Sequence, residues 1–349
     1  MNRKNIFSIC LFLALMFLTF YTIFHGNDMH YVWQAVREIQ PVYLCAAVLT
    51  GLFFVSAEGL MIWYLLWALQ CGISPISCIR FSFIGFFYSG ITPSATGGQP
   101  MQLYYMKKAG IKISDSTVVL MTVALIYKFV LVLIGIGILV FWYPSLCFYL
   151  QNYIYLYYLG LFLNVALVAI LLFVMVSPRC FRGIVTGGEK LLLKLHILKP
   201  SESRTQKLFD MADSYHEAVV FFLRHKKHIA AVIAFTFVQR FSVFFLTWLI
   251  YKGMGLSGHS IVSVMLIQAT VYIAVDMLPL PGAQGITELM YKTVFSAVFP
   301  GAYLTASMCV TRSINFYLLL VVSALIAAAA SLPGRQKVQK ALQKPPVAS

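Results

Sequence analysis

The sequence predicts an all-α integral membrane protein with about eight membrane-crossing helices and two broken or re-entrant segments in an internal repeat. Three observations carry that expectation. Of 349 residues, 60% are hydrophobic and only 11% charged, and the mean hydropathy of +0.84 is higher than a soluble domain sustains. Apolar stretches of about 20 residues, the length that crosses a bilayer, recur along the chain. Two clusters of Gly and Pro each interrupt such a stretch. The composition also excludes a disordered chain, collagen and a coiled coil.

At the N-terminus, Arg3 and Lys4 precede an apolar run from Ile6 to Phe24, as in a signal peptide. The run is long for a signal sequence, and His25-Gly26-Asn27-Asp28 offers no small-x-small cleavage site, so an uncleaved first helix is expected. Further helices are expected from about Val42 to Ala68, Ser116 to Phe141, Tyr155 to Val176, Ile229 to Tyr251, Ser260 to Leu278 and Ser313 to Leu332. The chain thus divides into a first helical half (1–176) with a broken segment at 81–107, a basic loop (177–228), a second half (229–333) with a broken segment at 276–300, and a basic tail (334–349).

The net charge of +15, from 26 Lys and Arg against 11 Asp and Glu, would raise the question of nucleic acid in a soluble protein. Here most cations lie beside apolar runs, where they fix orientation and meet anionic lipid. Arg179, Arg182, Lys190, Lys194, Lys199, Arg204, Lys207, Arg224, Lys226 and Lys227 place the long loop in the cytoplasm, whereas Tyr143 to Asn152 carries no charge and lies outside. Arg3, Lys4, Arg335, Lys337, Lys340 and Lys344 put both termini in the cytoplasm of a bacterial inner-membrane protein. An even number of crossings follows. The region from Cys78 to Lys112 must then return to its own side, and Gly282 to Met308 must cross once. Within the loop, Leu191, Leu192, Leu193, Leu195, Ile197 and Leu198, then Leu208, Met211 and Tyr215, can form amphipathic helices lying on the membrane.

The seven Cys residues, Cys10, Cys45, Cys147 and Cys309 among them, show neither CxxC nor His-interleaved spacing, so neither a disulfide framework nor a zinc site is expected. GxSxG, a Walker-type phosphate loop and HExxH are absent, which leaves the usual soluble enzyme chemistries without support, and no cofactor is expected. Tyr149, Tyr153, Tyr155, Tyr157 and Tyr158 crowd one helix end, as an interfacial aromatic belt does.

The first break holds Thr92, Pro93, Gly97, Gly98, Gln99 and Pro100; the second runs from Asp276 through Pro279, Pro281, Gly282, Ala283, Gln284 and Gly285 to Glu288. Pro lacks a backbone donor and Gly permits unusual backbone, so peptide groups are freed at some membrane depth. Such backbone must be buried in protein or line a wet cavity. Ordinary turns at the membrane surface are the alternative for each cluster alone. Corresponding interruptions in two halves point to a transporter whose half-helix ends share one site. Bulk at Gly98 or Gly285 should then abolish function, and bulk at Gly160, in a plain helix, should be milder.

Glu58, Lys128 and Arg240 lie inside apolar stretches, and Asp276, Glu288 and Arg312 near the second break. A central charge costs at least ~2.5–3.5 kcal/mol on insertion scales, so these six face protein or water. Structural ion pairs and snorkelling side chains are the alternatives to function. Arg312 or Lys128 with half-helix N-termini at Gly98 or Gly285 can hold a phosphate, and Glu288 and Asp276 an ammonium.

At these residues the sequence resembles the transmembrane, flippase-like region of the lysylphosphatidylglycerol synthases. The resemblance rests on Thr92-Pro93 with Gly97-Gly98-Gln99-Pro100, then Lys107-Lys108 and Gly110, and on Pro279-Leu280-Pro281-Gly282 with Gly285 and Glu288, then Arg312 before Phe316-Tyr317. It extends from the first helix to Leu332. It implies translocation of aminoacylated phosphatidylglycerol or a related lipid, with membrane phospholipid as partner and a separate synthase or glycosyltransferase as a further one. Two departures stand out: Ala283 where the family usually has a second Gly, and Lys128 where it often has Arg, which removes bidentate phosphate recognition. The complete synthase carries a soluble aminoacyl-transfer domain after the membrane region, where this sequence has a short basic tail. Lysyl transfer from lysyl-tRNA, the only reading that brings in nucleic acid, and a scaffold for a separate synthase therefore remain the alternatives to translocation.

Overall fold

The computed structural model describes residues 29–92, 95–177, 183, 186–187, 202–278, 283 and 285–331. The expected first helix, the tail, and the leucines from Leu191 to Leu198 lie outside the described residues. Every regular element among the described residues is helical. In chain order these are α1 (Met29–Arg37), α2 (Pro41–Ala68), α3 (Pro75–Gly90), α4 (Gly98–Lys108), α5 (Ile113–Phe141), α6 (Tyr143–Leu150), α7 (Ile154–Val176), α8 (Glu202–Arg224), α9 (Lys226–Gly253), α10 (Ile261–Val275), α11 (Ile286–Phe295), α12 (Ala302–Arg312) and α13 (Leu319–Ser331).

Five helical stretches among the described residues are long and apolar enough to cross a membrane: α2, α5, α7, α9 and the continuous run Ala302–Ser331. That run joins α12 to α13 through a π-helical turn, Ser313–Leu318. The stretch expected to cross from Ser260 to Leu278 is instead the 15-residue α10, roughly 22 Å long at 1.5 Å per residue, short of a hydrocarbon core of ~30 Å. Its start is fixed by Ser260, whose side chain accepts from the Ser263 N–H at 3.1 Å. Its end comes at Asp276, where the second Gly/Pro cluster begins.

Helix lengths follow one order twice. A 28-residue helix (α2), short helices of 16 and 11 residues (α3, α4) and a 29-residue helix (α5) are matched by 28 residues (α9), 15 and 10 (α10, α11) and the 30-residue run Ala302–Ser331. In the first set α3 starts at Pro75 with Ser74 as its cap, and α3 and α4 pack as an antiparallel hairpin. Gln102 lies on Gly85 and Gly98 lies on Ser89, so the chain reverses between Gly90 and Gly98.

The two 28-residue helices, α2 and α9, form the centre. Gln239 Nε2 donates to the Phe54 carbonyl (2.8 Å), Thr236 Oγ1 to Met61 Sδ (3.1 Å), and the His228 ring nitrogen meets Tyr64 OH (2.9 Å). Positions rise along α2 as they fall along α9, so the pair is antiparallel. Close crossings elsewhere are made by glycine, as in membrane helix packing. A Cβ on Gly59 would stand 2.4 Å from Ile79 Cα, where α3 crosses α2, and one on Gly160 would stand 2.1 Å from the Ile273 carbonyl, where α10 crosses α7. Gly160 is therefore no plain helical position, and the tolerance of bulk expected there is corrected: its missing side chain is the contact.

The basic loop does form a helix, α8, but its apolar stripe is turned inward. Tyr215, Ala218, Val219 and Phe222 are buried, α8 packs on α5, and Tyr215 OH reaches Met121 Sδ at 3.4 Å. The spacing i, i+3, i+4, i+7 that suits a lipid surface suits a protein groove equally.

Outside the membrane-length helices, the turn after α2 sets Cys71 Sγ 3.8 Å from Asp115 Oδ2 at the start of α5. Burial first, then the neighbouring carboxylate, push this thiol above the ordinary cysteine range. Asp115→Asn removes the negative charge that opposes the thiolate, so the pH midpoint for maleimide labelling of Cys71 should move down and labelling at pH 8 should accelerate. An unchanged pH–rate profile would show that burial alone sets the thiol.

Candidate functional site

A cavity of about 230 Å³ lies between the two sets of helices. Its wall takes Ser89, Gly90 and Ala95 from the first break, and Asp276, Leu278, Ala283 and Thr287 from the second. Phe54 of α2, Tyr127 of α5, Arg240 of α9, Gln268 and Tyr272 of α10, and Thr311, Arg312, Asn315 and Phe316 at and before the π turn also line it.

The six intramembrane charges fall into three arrangements. Lys128 Nζ is ion-paired to Asp276 Oδ2, and Tyr127 OH donates to Asp276 Oδ1 at 2.9 Å. Arg312 Nε is bonded to Glu288 Oε1 at 2.7 Å, and Glu288 Oε2 accepts the Gly285 N–H at 2.7 Å. Glu288 is thus at once the ion-pair partner of Arg312 and the acceptor for the amide of Gly285, the residue that caps α11. Glu58 accepts from Gln102 Nε2 at 2.7 Å, tying α2 to the first hairpin.

Arg240 differs from the other two cations. It is 2% exposed, and its Nε and Nη1 have no hydrogen-bond partner. Its guanidinium lies between two rings, 3.8 Å from the Tyr127 centroid and 4.5 Å from that of Phe54. Cation–π attraction on both faces partly offsets desolvation, while the in-plane donors remain unused.

At the first break, Thr92 Oγ1 donates to the Tyr88 carbonyl (2.6 Å) and accepts the Gly97 N–H (2.9 Å), which stitches the turn shut. Gly97 and Gly98 act by close approach: a Cβ would lie 2.7 Å from Thr92 Cγ2 and 2.0 Å from Ser89 Oγ, respectively. Gln99 and Pro100 are exposed on the first turn of α4 and do not line the cavity. Pro93, Pro281, Gly282 and Gln284 lie outside the described residues. Gly285 has room for a side chain but holds φ +82°, so glycine is needed there for conformation. Ala95 and Ala283, one in each break, also have positive φ, 53° and 49°. For Ala this costs on the order of 1 kcal/mol relative to Gly. Ala283→Gly, at the position where the resemblance expects glycine, should therefore raise stability by about that amount, read as a higher unfolding temperature in detergent; a fall would place the strain elsewhere.

Tyr127, Tyr272, Phe54 and Asn315 had no signal as site residues beyond being a polar or aromatic position inside an apolar run. Asn315 Oδ1 is buried without a partner. Among the described residues no group of three His, Cys, Asp or Glu side chains could hold a metal ion, and the five described cysteines are unpaired.

Helices of membrane-crossing length packed around a central cavity define a multi-pass membrane protein. The chain belongs to the family described as the lysylphosphatidylglycerol synthase TM region, whose model matches residues 5–323. No match was found among curated proteins.

Proposed function

We propose that the protein moves a phospholipid between the leaflets of a bacterial inner membrane, holding its headgroup in the central cavity. The observation that carries the reading is that both broken segments reach one cavity that also holds a buried guanidinium with unused donors. Family membership makes aminoacylated phosphatidylglycerol the first lipid to consider.

The matched lengths support a particular topology: two inverted halves, each a long helix, a re-entrant hairpin and a long helix. With the first helix, α2, α5, α7, α9 and Ala302–Ser331 as crossings, the total is six, which keeps both termini in the cytoplasm and replaces the eight expected from hydropathy. The hairpin α3–α4 then enters from the cytoplasm and α10–α11 from outside, so a headgroup passing from one leaflet to the other meets both. The basic residues Arg80, Lys107, Lys108 and Lys112 at the open end of the first hairpin agree with a cytoplasmic mouth.

The test is reconstitution of the full chain in liposomes with fluorescent phospholipid, following the fraction shielded from dithionite. Faster exchange between leaflets than in protein-free vesicles is expected, and equal rates would refute translocation.

A further inference from the structure

Charge placement in the cavity says which headgroup fits. Both oxygens of Asp276 are engaged, one by Lys128 and one by Tyr127, and both oxygens of Glu288 by Arg312 and the Gly285 amide. Those two carboxylates are therefore occupied, and the charges of Lys128 and Arg312 are cancelled. Glu58 forms no ion pair with Arg240 and is held by Gln102. Among the described residues, the remaining buried unsatisfied groups on the wall are the Nε and Nη1 donors of Arg240, itself 2% exposed, the Asn315 Oδ1 acceptor and the Thr311 hydroxyl.

We propose that the cavity takes a lipid phosphodiester of net negative charge bearing a hydroxylated headgroup, with Arg240 binding the phosphate and Asn315 accepting from a hydroxyl. A lysyl ester, whose ammonium groups outweigh the phosphate, would set positive charge beside Arg240, and Asp276, the one carboxylate among the described wall residues, is already engaged. The inference rests on the translocation reading for its lipid but not for its sign. Arg240 is suited to the part because its faces are covered by Tyr127 and Phe54, which leaves only in-plane donors, the geometry phosphate oxygens use. A buried cation that makes no direct ion pair is costly, so a phosphate that contacts it is bound with a gain no neutral headgroup supplies.

Thermal unfolding of the full chain in a non-ionic detergent, with added ligand, measures the preference directly. Dihexanoyl phosphatidylglycerol should raise the midpoint, at a concentration at least ~10-fold lower than dihexanoyl lysylphosphatidylglycerol needs for the same shift. Glycerophosphoglycerol, the same phosphodiester anion without acyl chains, should act only at far higher concentration. Arg240→Gln should lose the shift from phosphatidylglycerol, and Arg240→Lys should keep part of it. Asn315→Ala, which leaves every ion pair in place, should weaken phosphatidylglycerol more than phosphatidic acid.

Equal or tighter binding of the lysyl lipid overturns the proposal, as does an Arg240→Gln protein that still responds fully. Glycerophosphoglycerol as potent as the lipid overturns the lipid source. If Arg240→Gln does not fold, the wild-type preference and Asn315→Ala decide. Selective binding of phosphatidylglycerol without movement in liposomes would leave this proposal standing and defeat translocation.

Discussion

Arg312→Leu is expected to lower stability by about 3–5 kcal/mol, the usual cost of stripping one member from a buried ion pair. The remaining carboxylate of Glu288 would be buried at 6% exposure, with only the Gly285 amide left to satisfy it. Glu288→Leu should be comparably harmful because it leaves the Arg312 charge in place and also removes the acceptor for the Gly285 amide that caps α11. The double variant Glu288→Leu/Arg312→Leu should recover most of the loss, since no charge is then left uncompensated. The measurement is thermal unfolding of the four proteins in one detergent, analysed as a double-mutant cycle. Additive losses would mean that the two side chains do not depend on each other.

Gly98→Leu and Gly160→Leu are both expected to prevent correct assembly, for the same reason at two places. A Cβ at 98 would lie 2.0 Å from Ser89 Oγ and 2.8 Å from the Gly85 carbonyl; at 160 it would lie 2.1 Å from the Ile273 carbonyl and 2.9 Å from Ala274 Cα. At both sites backbone has to move, so the loss should reach or pass the upper end of overpacking costs, about 3 kcal/mol. The proper control is Gly137, on the long helix α5, where no atom stands within 4 Å of a built Cβ. Gly137→Leu should give a monodisperse protein near the wild-type melting temperature. Gly98→Leu and Gly160→Leu should elute as aggregate or melt much earlier. If Gly98→Leu instead remains folded and only transport is lost, the first break serves the lipid path and not the packing of the hairpin.

Hydrophobic runs made the long helices legible. The expected starts and ends of α2, α5, α7 and α9 fall within about three residues of those observed, as is usual for helix boundaries read from a single sequence. Charges were legible as unusual because each is costly in a membrane. Their partners were not, since Lys128 and Asp276 are 148 positions apart and meet only once α5 and the end of α10 are packed. Nor could the sequence distinguish Arg240, unpartnered, from Arg312, which is paired; that difference depends on the register of α2 against α9. Gly160 was misread because a glycine in an apolar helix gives no sign of what crosses it. α10 was read as a crossing because hydropathy continues through Leu278, beyond the point at which the helix stops.

The π turn at Ser313–Leu318 adds a residue to the helical winding next to Arg312. Each residue of an α-helix turns the chain by about 100°, so the extra one sets the azimuth of α13 relative to α12. It brings Asn315 and Phe316 round to the cavity that Arg312 already faces. Shortening this turn by one residue would convert it to α-helix, rotate everything after it by that angle, and leave the amino-acid content of the wall intact while facing it the wrong way. In an alignment of related chains, a one-residue gap between Arg312 and Leu319 would therefore mark a different cavity more surely than a substitution within its wall.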